Sequence, residues 1–166
     1  KEGEDKPIPI TKELIHYRPH FEQGQESYWN SSGNIAFTIE GLKWTLNPLS
    51  TQERCYITDF SIVSGVRDTF HLPSRIYLRY KSIDIKGEGE EPNLVHFELY
   101  TGKETLKIPW TGEEGHSAGI PILEDGKWHN IIFTVPQELV GKHIRIYSIE
   151  FSNRFTSMVI GDIVFF

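Results

Sequence analysis

The sequence predicts an all-β domain, a two-sheet antiparallel sandwich of the jelly-roll type. Three observations lead there. Apolar and polar residues alternate over short runs, the period of a half-buried strand. The runs recur at near-regular spacing between clusters of Gly, Pro, Asn and Asp. No stretch keeps a helical period, and only Pro136 to Val140 suggests a single helical turn. Roughly nine to eleven such strands around one core require two packed sheets.

The elements follow in chain order. Residues 1–11 are charged and carry Pro7 and Pro9, which reads as a linker or flexible N-terminal tail before a single sandwich domain at 12–166. Glu13 to Tyr17 has the composition of a short strand, and residues 20–29 form a polar, turn-rich stretch. From Asn34, the alternation puts Ile35, Phe37 and Ile39 inward. Gly41 breaks it, and Leu42, Trp44 and Leu46 resume one step out of phase, as a bulge or tight hairpin requires. Asn47-Pro48 stops the run. Cys55 to Val63 is the next strand, with Gly65 to Pro73 a loop after it.

Arg75 to Ile85 follows as a strand with two unlike faces. Ile76, Leu78 and Tyr80 suit a core. Arg75, Tyr77, Arg79 and Lys81 make a row of cations around an aromatic ring. A charged turn runs from Lys86 to Asn93. Val95, Phe97 and Leu99 then alternate with His96, Glu98 and Tyr100, and a short gap leads to Leu106, Ile108 and Trp110. Thr111 to Pro121 is the longest Gly-rich loop. His129, Ile131, Phe133 and Val135 face inward opposite Trp128, Asn130 and Thr134. Ile144 to Phe151 and Ser157 to Phe166 close the fold.

Charge and composition exclude several classes. The net charge of −6 argues against a nucleic-acid partner, which requires a basic field. The single Cys55 allows no internal disulfide and no thiolate metal site. No apolar run approaches the ~20 residues of a membrane span. There is no phosphate loop, no Gly-x-Ser-x-Gly elbow and no His-Glu-x-x-His pair. No signal peptide is present and the first residue is not Met. The chain ends directly after a core-like strand, as a domain cut from a longer protein does.

The polar faces suggest a binding surface. With the strands at 75–85, 94–101 and 127–135 in one sheet, Arg75, Tyr77 and Arg79 would lie beside His96, Glu98 and Tyr100, and beside Trp128 and Asn130. Sugars are bound by such mixtures: a ring stacks on the apolar face of a pyranose while polar groups hold its hydroxyls. Arginine would also favour an acidic or sulfated sugar. The plain alternative is a solvated sheet with cross-strand ion pairs such as Arg79 with Glu98. Trp110 and the loop after it form a second candidate site. Trp44, in phase with Leu42 and Leu46, belongs to the core.

Two stretches carry a resemblance. One is Asp125-Gly-Lys-Trp-His-Asn-Ile-Ile-Phe, then Leu139-Val-Gly-Lys, then Ile144 to Phe151 and Ile160-Gly-Asp-Ile-Val-Phe-Phe. The other is Phe21-Glu-Gln-Gly with Trp29 shortly after. Their order resembles the opening and closing strands of jelly-roll carbohydrate-binding modules with a galactose-binding-like sandwich. Asp125 to Asn130 also resembles a strand opening of laminin-G and concanavalin-like domains, but the second Asp-Gly of their hairpin is absent. The resemblance implies a noncatalytic module that binds a polysaccharide or oligosaccharide. It implies a secreted or cell-surface setting, within a glycan-degrading enzyme and covalently linked to a catalytic domain. It further implies a structural calcium tying the opening segment to the last strand, with Glu22, a carbonyl near Gly24, and Asp162 as ligands.

Two alternatives stay open. One is a small hydrolase or lyase, for which Glu98 and Glu150 are the only strand glutamates that qualify. The other is a structural sandwich that packs against a catalytic domain.

Overall fold

The computed structural model describes residues 2–46, 55–82, 93–152 and 157–166. The expected stop at Asn47-Pro48, the end of the 75–85 strand beyond Ser82, and the charged turn from Lys86 lie outside the described residues.

Thirteen strands are described: β1 (Trp29–Ser31), β2 (Gly33–Thr38), β3 (Gly41–Leu46), β4 (Cys55–Asp59), β5 (Phe70–His71), β6 (Arg75–Ser82), β7 (Leu94–Tyr100), β8 (Thr105–Ile108), β9 (Ile120–Pro121), β10 (Trp128–Thr134), β11 (His143–Ile144), β12 (Ile146–Phe151) and β13 (Ser157–Phe165). One sheet runs in the order β10-β6-β13-β3-β2. The other runs β1-β4-β12-β7-β8, with β9 also on β7. The paired strands are antiparallel. Apart from the β2–β3 and β7–β8 hairpins, successive long strands alternate between the sheets, as in a jelly roll.

The expected inward residues line the core between the sheets. Leu42, Trp44 and Leu46 from β3, Ile76, Leu78 and Tyr80 from β6, and Val95, Phe97 and Leu99 from β7 are all buried. Aromatic side chains tie the layers together. Phe97 meets Phe133 edge-on at 5.0 Å between centroids, and Tyr147 meets Phe165 at 5.0 Å. Such pairs add about 0.5–1.5 kcal/mol each beyond their buried area. Ile39 departs from the expected phase: it occupies the two-residue turn between β2 and β3 and is fully exposed. Gly41 closes that turn at φ +135°, and a Cβ there would lie 2.2 Å from the Ile160 carbonyl oxygen. Only glycine fits both constraints.

A buried carboxylate anchors one end of the sandwich. Asp59, wholly buried at the end of β4, accepts hydrogen bonds from the Tyr17 hydroxyl at 2.6 Å and the Tyr147 hydroxyl at 2.9 Å. Its other oxygen accepts from the Ser61 backbone N–H at 2.9 Å and from the Ser61 hydroxyl. Burial raises the ionisation of both tyrosines well above the usual phenol range, and the Asp59 charge adds to it. Both therefore stay neutral donors.

The N-terminal segment, expected to be a free tail, lies along the outer face of the β10-β6-β13 sheet. The Asp5 N–H donates to the Trp128 carbonyl at 2.9 Å. The Asn130 N–H donates to the Asp5 carboxylate, and the Asn130 amide donates to the Lys6 carbonyl. The reason is apolar. Tyr77, Val164 and Phe166 point outward from β6 and β13, and Ile8, Ile10 and Ile15 cover them in a second, smaller core. The Glu13–Tyr17 stretch is a 3-10 turn over Lys12–Leu14 rather than a strand, with Tyr17 bridged to Phe165.

Candidate functional site

The topology divides the expected binding face. β6 and β10 are neighbours, as expected, with Asn130 opposite Arg79 and Trp128 opposite Lys81. β7 belongs to the other sheet. Arg75, Tyr77, Arg79, Trp128 and Asn130 therefore share one outer face, while His96, Glu98 and Tyr100 lie on the opposite side of the molecule.

The first group engages the chain itself. Tyr77 is buried beneath the N-terminal segment; its hydroxyl donates to the Asn130 side-chain oxygen at 2.8 Å and accepts from the Ile8 N–H at 3.3 Å. The Arg79 guanidinium donates to the Asp5 carbonyl and to Asn130, both at 2.9 Å. It also lies 4.7 Å from the Trp128 ring centroid, and the Lys81 ammonium lies 4.9 Å from that ring. Trp128 in turn rests on Gly161, where a Cβ would approach its ring to 2.8 Å. Gly161 lies at a bulge in β13. Arg75 stacks its guanidinium on Phe166 at 4.2 Å. Trp110 packs against the core and donates its indole N–H to Glu138 at 3.0 Å.

The second group stands on the outer face of the other sheet. The strand register places two rows of outward side chains across β1, β4, β12, β7 and β8. Tyr56, Glu150 and His96 form one row. Asn30, Thr58, Ser148, Glu98 and Lys107 form the next, and Tyr100 stands beyond it. Thr58 and Ser148 share a hydrogen bond at 2.6 Å. His96 Nε2 lies 2.7 Å from Glu150 Oε2, and Lys107 Nζ lies 3.9 Å from Glu98 Oε2. The loop after Trp110 folds back over this sheet. Glu114 accepts from the Thr105 N–H at 2.8 Å, and the Ser117 hydroxyl donates to the Pro109 carbonyl at 2.7 Å. Between loop and sheet lies a cleft of about 390 Å³ bordered by His96, Lys107, His116, Ser117 and Glu150.

The two glutamates behave unlike each other. Burial, and then the charge of Glu150, push the Glu98 carboxyl up. The hydrogen bond from His96 holds Glu150 well below the usual carboxylate range despite its burial. Of the two, Glu98 is the more readily protonated. One ligand atom each from His96, Glu98 and Glu150 lies within 4.8 Å of the others. The face offers fixed donors and acceptors flanked by the rings of Tyr56 and Tyr100.

The residues named for calcium do not fit that ion as they stand. Both oxygens of Asp162 are held by the Arg18 guanidinium, at 3.0 and 2.5 Å. A cation is repelled where a guanidinium already neutralises the carboxylate. Glu22 is exposed in the turn leading to Gln25, and the Gly24 N–H donates to Glu26.

No protein-family model matches the sequence, and no curated protein matches it. Solved structures do match. One is a module described through its specific mannan recognition, TmCBM27, at 14% identity and TM-score 0.53, covering 91% of this chain and 95% of that one. A xylan-binding module, CBM15, matches at 13% identity and TM-score 0.51 with the same coverage. A module specific for non-crystalline cellulose, CBM28, matches at 11% identity and TM-score 0.51, covering 95% of this chain and 96% of that one. The chain has the fold of the β-sandwich carbohydrate-binding modules. The match spans nearly the whole of each chain.

Tyr56, Thr58, Ser148 and Lys107 were not singled out from the sequence as members of the face. Their outward phase is legible in the alternation of 55–59, 105–108 and 146–151. Which strands lie beside β7 is not.

Proposed function

We propose that this chain is a noncatalytic carbohydrate-binding module that holds a glycan on the outer face of the β4-β12-β7-β8 sheet. One observation carries the reading: among the described residues, the chain's own N-terminal segment covers the outer face of the β10-β6-β13 sheet, whereas the outer face of the other sheet presents its polar residues in fixed pairs beside the cleft under the loop after Trp110. The mannan-, xylan- and cellulose-binding functions of the modules sharing the fold support it. In this reading Tyr56 and Tyr100 supply ring surface for sugar C–H groups. Lys107 and whichever hydroxyl of the Thr58–Ser148 pair does not donate to the other offer hydrogens to sugar oxygens, and His96, Glu98 and Glu150 engage sugar hydroxyls. The module serves a secreted polysaccharide-degrading enzyme and brings a linked catalytic domain to its substrate.

The test is affinity electrophoresis through gels containing mannan, xylan or a soluble cellulose derivative. Retardation by at least one polysaccharide is expected, and its loss in Glu98→Ala and Tyr100→Ala. No retardation by any polysaccharide contradicts the reading. Release of reducing ends or unsaturated sugars shows catalysis instead.

A further inference from the structure

A second cleft, at the end of the sandwich, differs in charge from the rest of the molecule. It has a volume of about 700 Å³ and lies between the stretch around residues 10–20 and the loop at 66–69. That size falls within the range of small-ligand sites. Its basic lining consists of Lys12, His16, Arg18, His20 and Arg67, with Asp68 the single carboxylate beside them. The whole chain carries a net charge of −6. The cleft therefore concentrates positive charge on an acidic protein.

Arg18 is bound to Asp162. Arg67 lies close enough to the buried Tyr17 and Tyr147 phenols to act on them electrostatically. Lys12 and Arg67 form no ion pair among the described residues. The walls are also held in place. The Arg67 N–H donates to the Ser61 carbonyl at 3.2 Å, and the His16 N–H donates to the Phe165 carbonyl at 2.8 Å. Ser61 is itself fixed by the buried Asp59. Ile10, Ile15 and Val66 add apolar surface beside the charges. Cations next to apolar patches suit a ring with a negative group and C–H faces.

We propose that this cleft is a second glycan subsite that takes the anionic group, carboxylate or sulfate, of an acidic sugar. The class of ligand rests on the carbohydrate-binding reading; the charge preference rests on the cleft. Lys12 and Arg67 hold the anion, and Ile10 and Val66 line the ring.

The experiment is a ¹H–¹⁵N NMR titration of the full chain with three probes: tri-galacturonate, a sulfated chondroitin disaccharide, and a neutral galactotriose. At least one acidic probe is expected to shift the amide signals of residues 12–18 and 66–69, and the two acidic arms tell carboxylate from sulfate. Galactotriose leaves those signals in place. Lys12→Gln with Arg67→Gln weakens the acidic probe by about tenfold or more, the loss of one to two charge-assisted bonds. Should Arg67→Gln fail to fold, Lys12→Gln with His16→Gln is expected to weaken the same probe by several-fold. The inference is overturned if neither acidic probe shifts these signals, if galactotriose shifts them equally, or if the folded variants bind unchanged. It is also overturned if a short single-stranded oligonucleotide binds the cleft more tightly than either acidic sugar. Glu98→Ala and Tyr100→Ala separate the two readings, since they act on the sheet face and leave the cleft intact. Binding of neutral glycan at the sheet face without acidic sugar in the cleft defeats only the present inference.

Discussion

Replacing Asp59 by Asn tests how the sandwich end is held. The substitution keeps the size of the side chain and one acceptor oxygen, and it removes the charge. In the structure one carboxylate oxygen accepts from both Tyr17 and Tyr147, and the other accepts from Ser61. An Asn turned to satisfy Ser61 presents its NH₂ to two phenol donors. Hydrogen bonds to a charged acceptor contribute about 1.5–3 kcal/mol each, so the two lost bonds amount to roughly 3–6 kcal/mol. The phenol groups rotate to accept from the new amide, which recovers about 1 kcal/mol for each. The net loss is about 1–4 kcal/mol. For a domain of this size that is a fall in Tm on the order of 10 °C. Urea unfolding at pH 7, with the slope of the transition unchanged, measures it. Tyr147→Phe removes a single bond and is expected to cost about 1.5–3 kcal/mol. A midpoint for Asp59→Asn that implies a loss under about 0.5 kcal/mol would refute the assignment of Asp59 as a charged four-donor anchor.

Other substitutions give sharp contrasts. The Glu98 carboxyl is raised above its ordinary value near 4.5, so its contribution to stability is present below that pH and is lost as pH rises through the raised value. Glu98→Gln is therefore more stable than wild type at pH 7 and equal to it near pH 4, as thermal unfolding across pH would show. Glu150 has the opposite sign: its pKa is lowered, so its contribution is lost as pH falls through the lowered value, and Glu150→Gln is less stable at pH 7 with a deficit that shrinks in acid. Gly41→Ala meets the Ile160 carbonyl oxygen and is expected to cost about 3 kcal/mol, whereas Gly24→Ala, at φ +90° with open space around it, costs about 1–2 kcal/mol in chemical denaturation.

The fold was legible in the sequence because burial in a sandwich follows a period of two. Val95, Phe97 and Leu99 alternate with His96, Glu98 and Tyr100, and the structure buries the first set and leaves the second on the outer face. Ile39 departed from that rule because a two-residue turn, not the pleat, sets its exposure. The site was legible only in part, and the reason is pairing. Alternation tells which side of its own strand a residue takes, and it is silent on the neighbouring strand. His96 and Glu98 thus lie beside Glu150 and Lys107 rather than beside Arg79 and Trp128. Tyr77 shows a second gap. Its outward phase is as expected, yet Ile8, Ile10 and Ile15 arrive from a stretch whose prolines and charges read as a tail. Covering an outer sheet face is a tertiary event that no local pattern encodes.

The central claim is that glycan binds the outer face of the β4-β12-β7-β8 sheet. Isothermal titration with the soluble polysaccharide that retards the wild type in affinity gels tests it most directly, using Tyr56→Ala with His96→Ala against Trp128→Ala on the covered sheet. The account predicts that the first variant loses binding by at least about tenfold while remaining folded, and that Trp128→Ala binds as wild type does. Unchanged binding in the Tyr56 and His96 variant, with loss in Trp128→Ala, would contradict it.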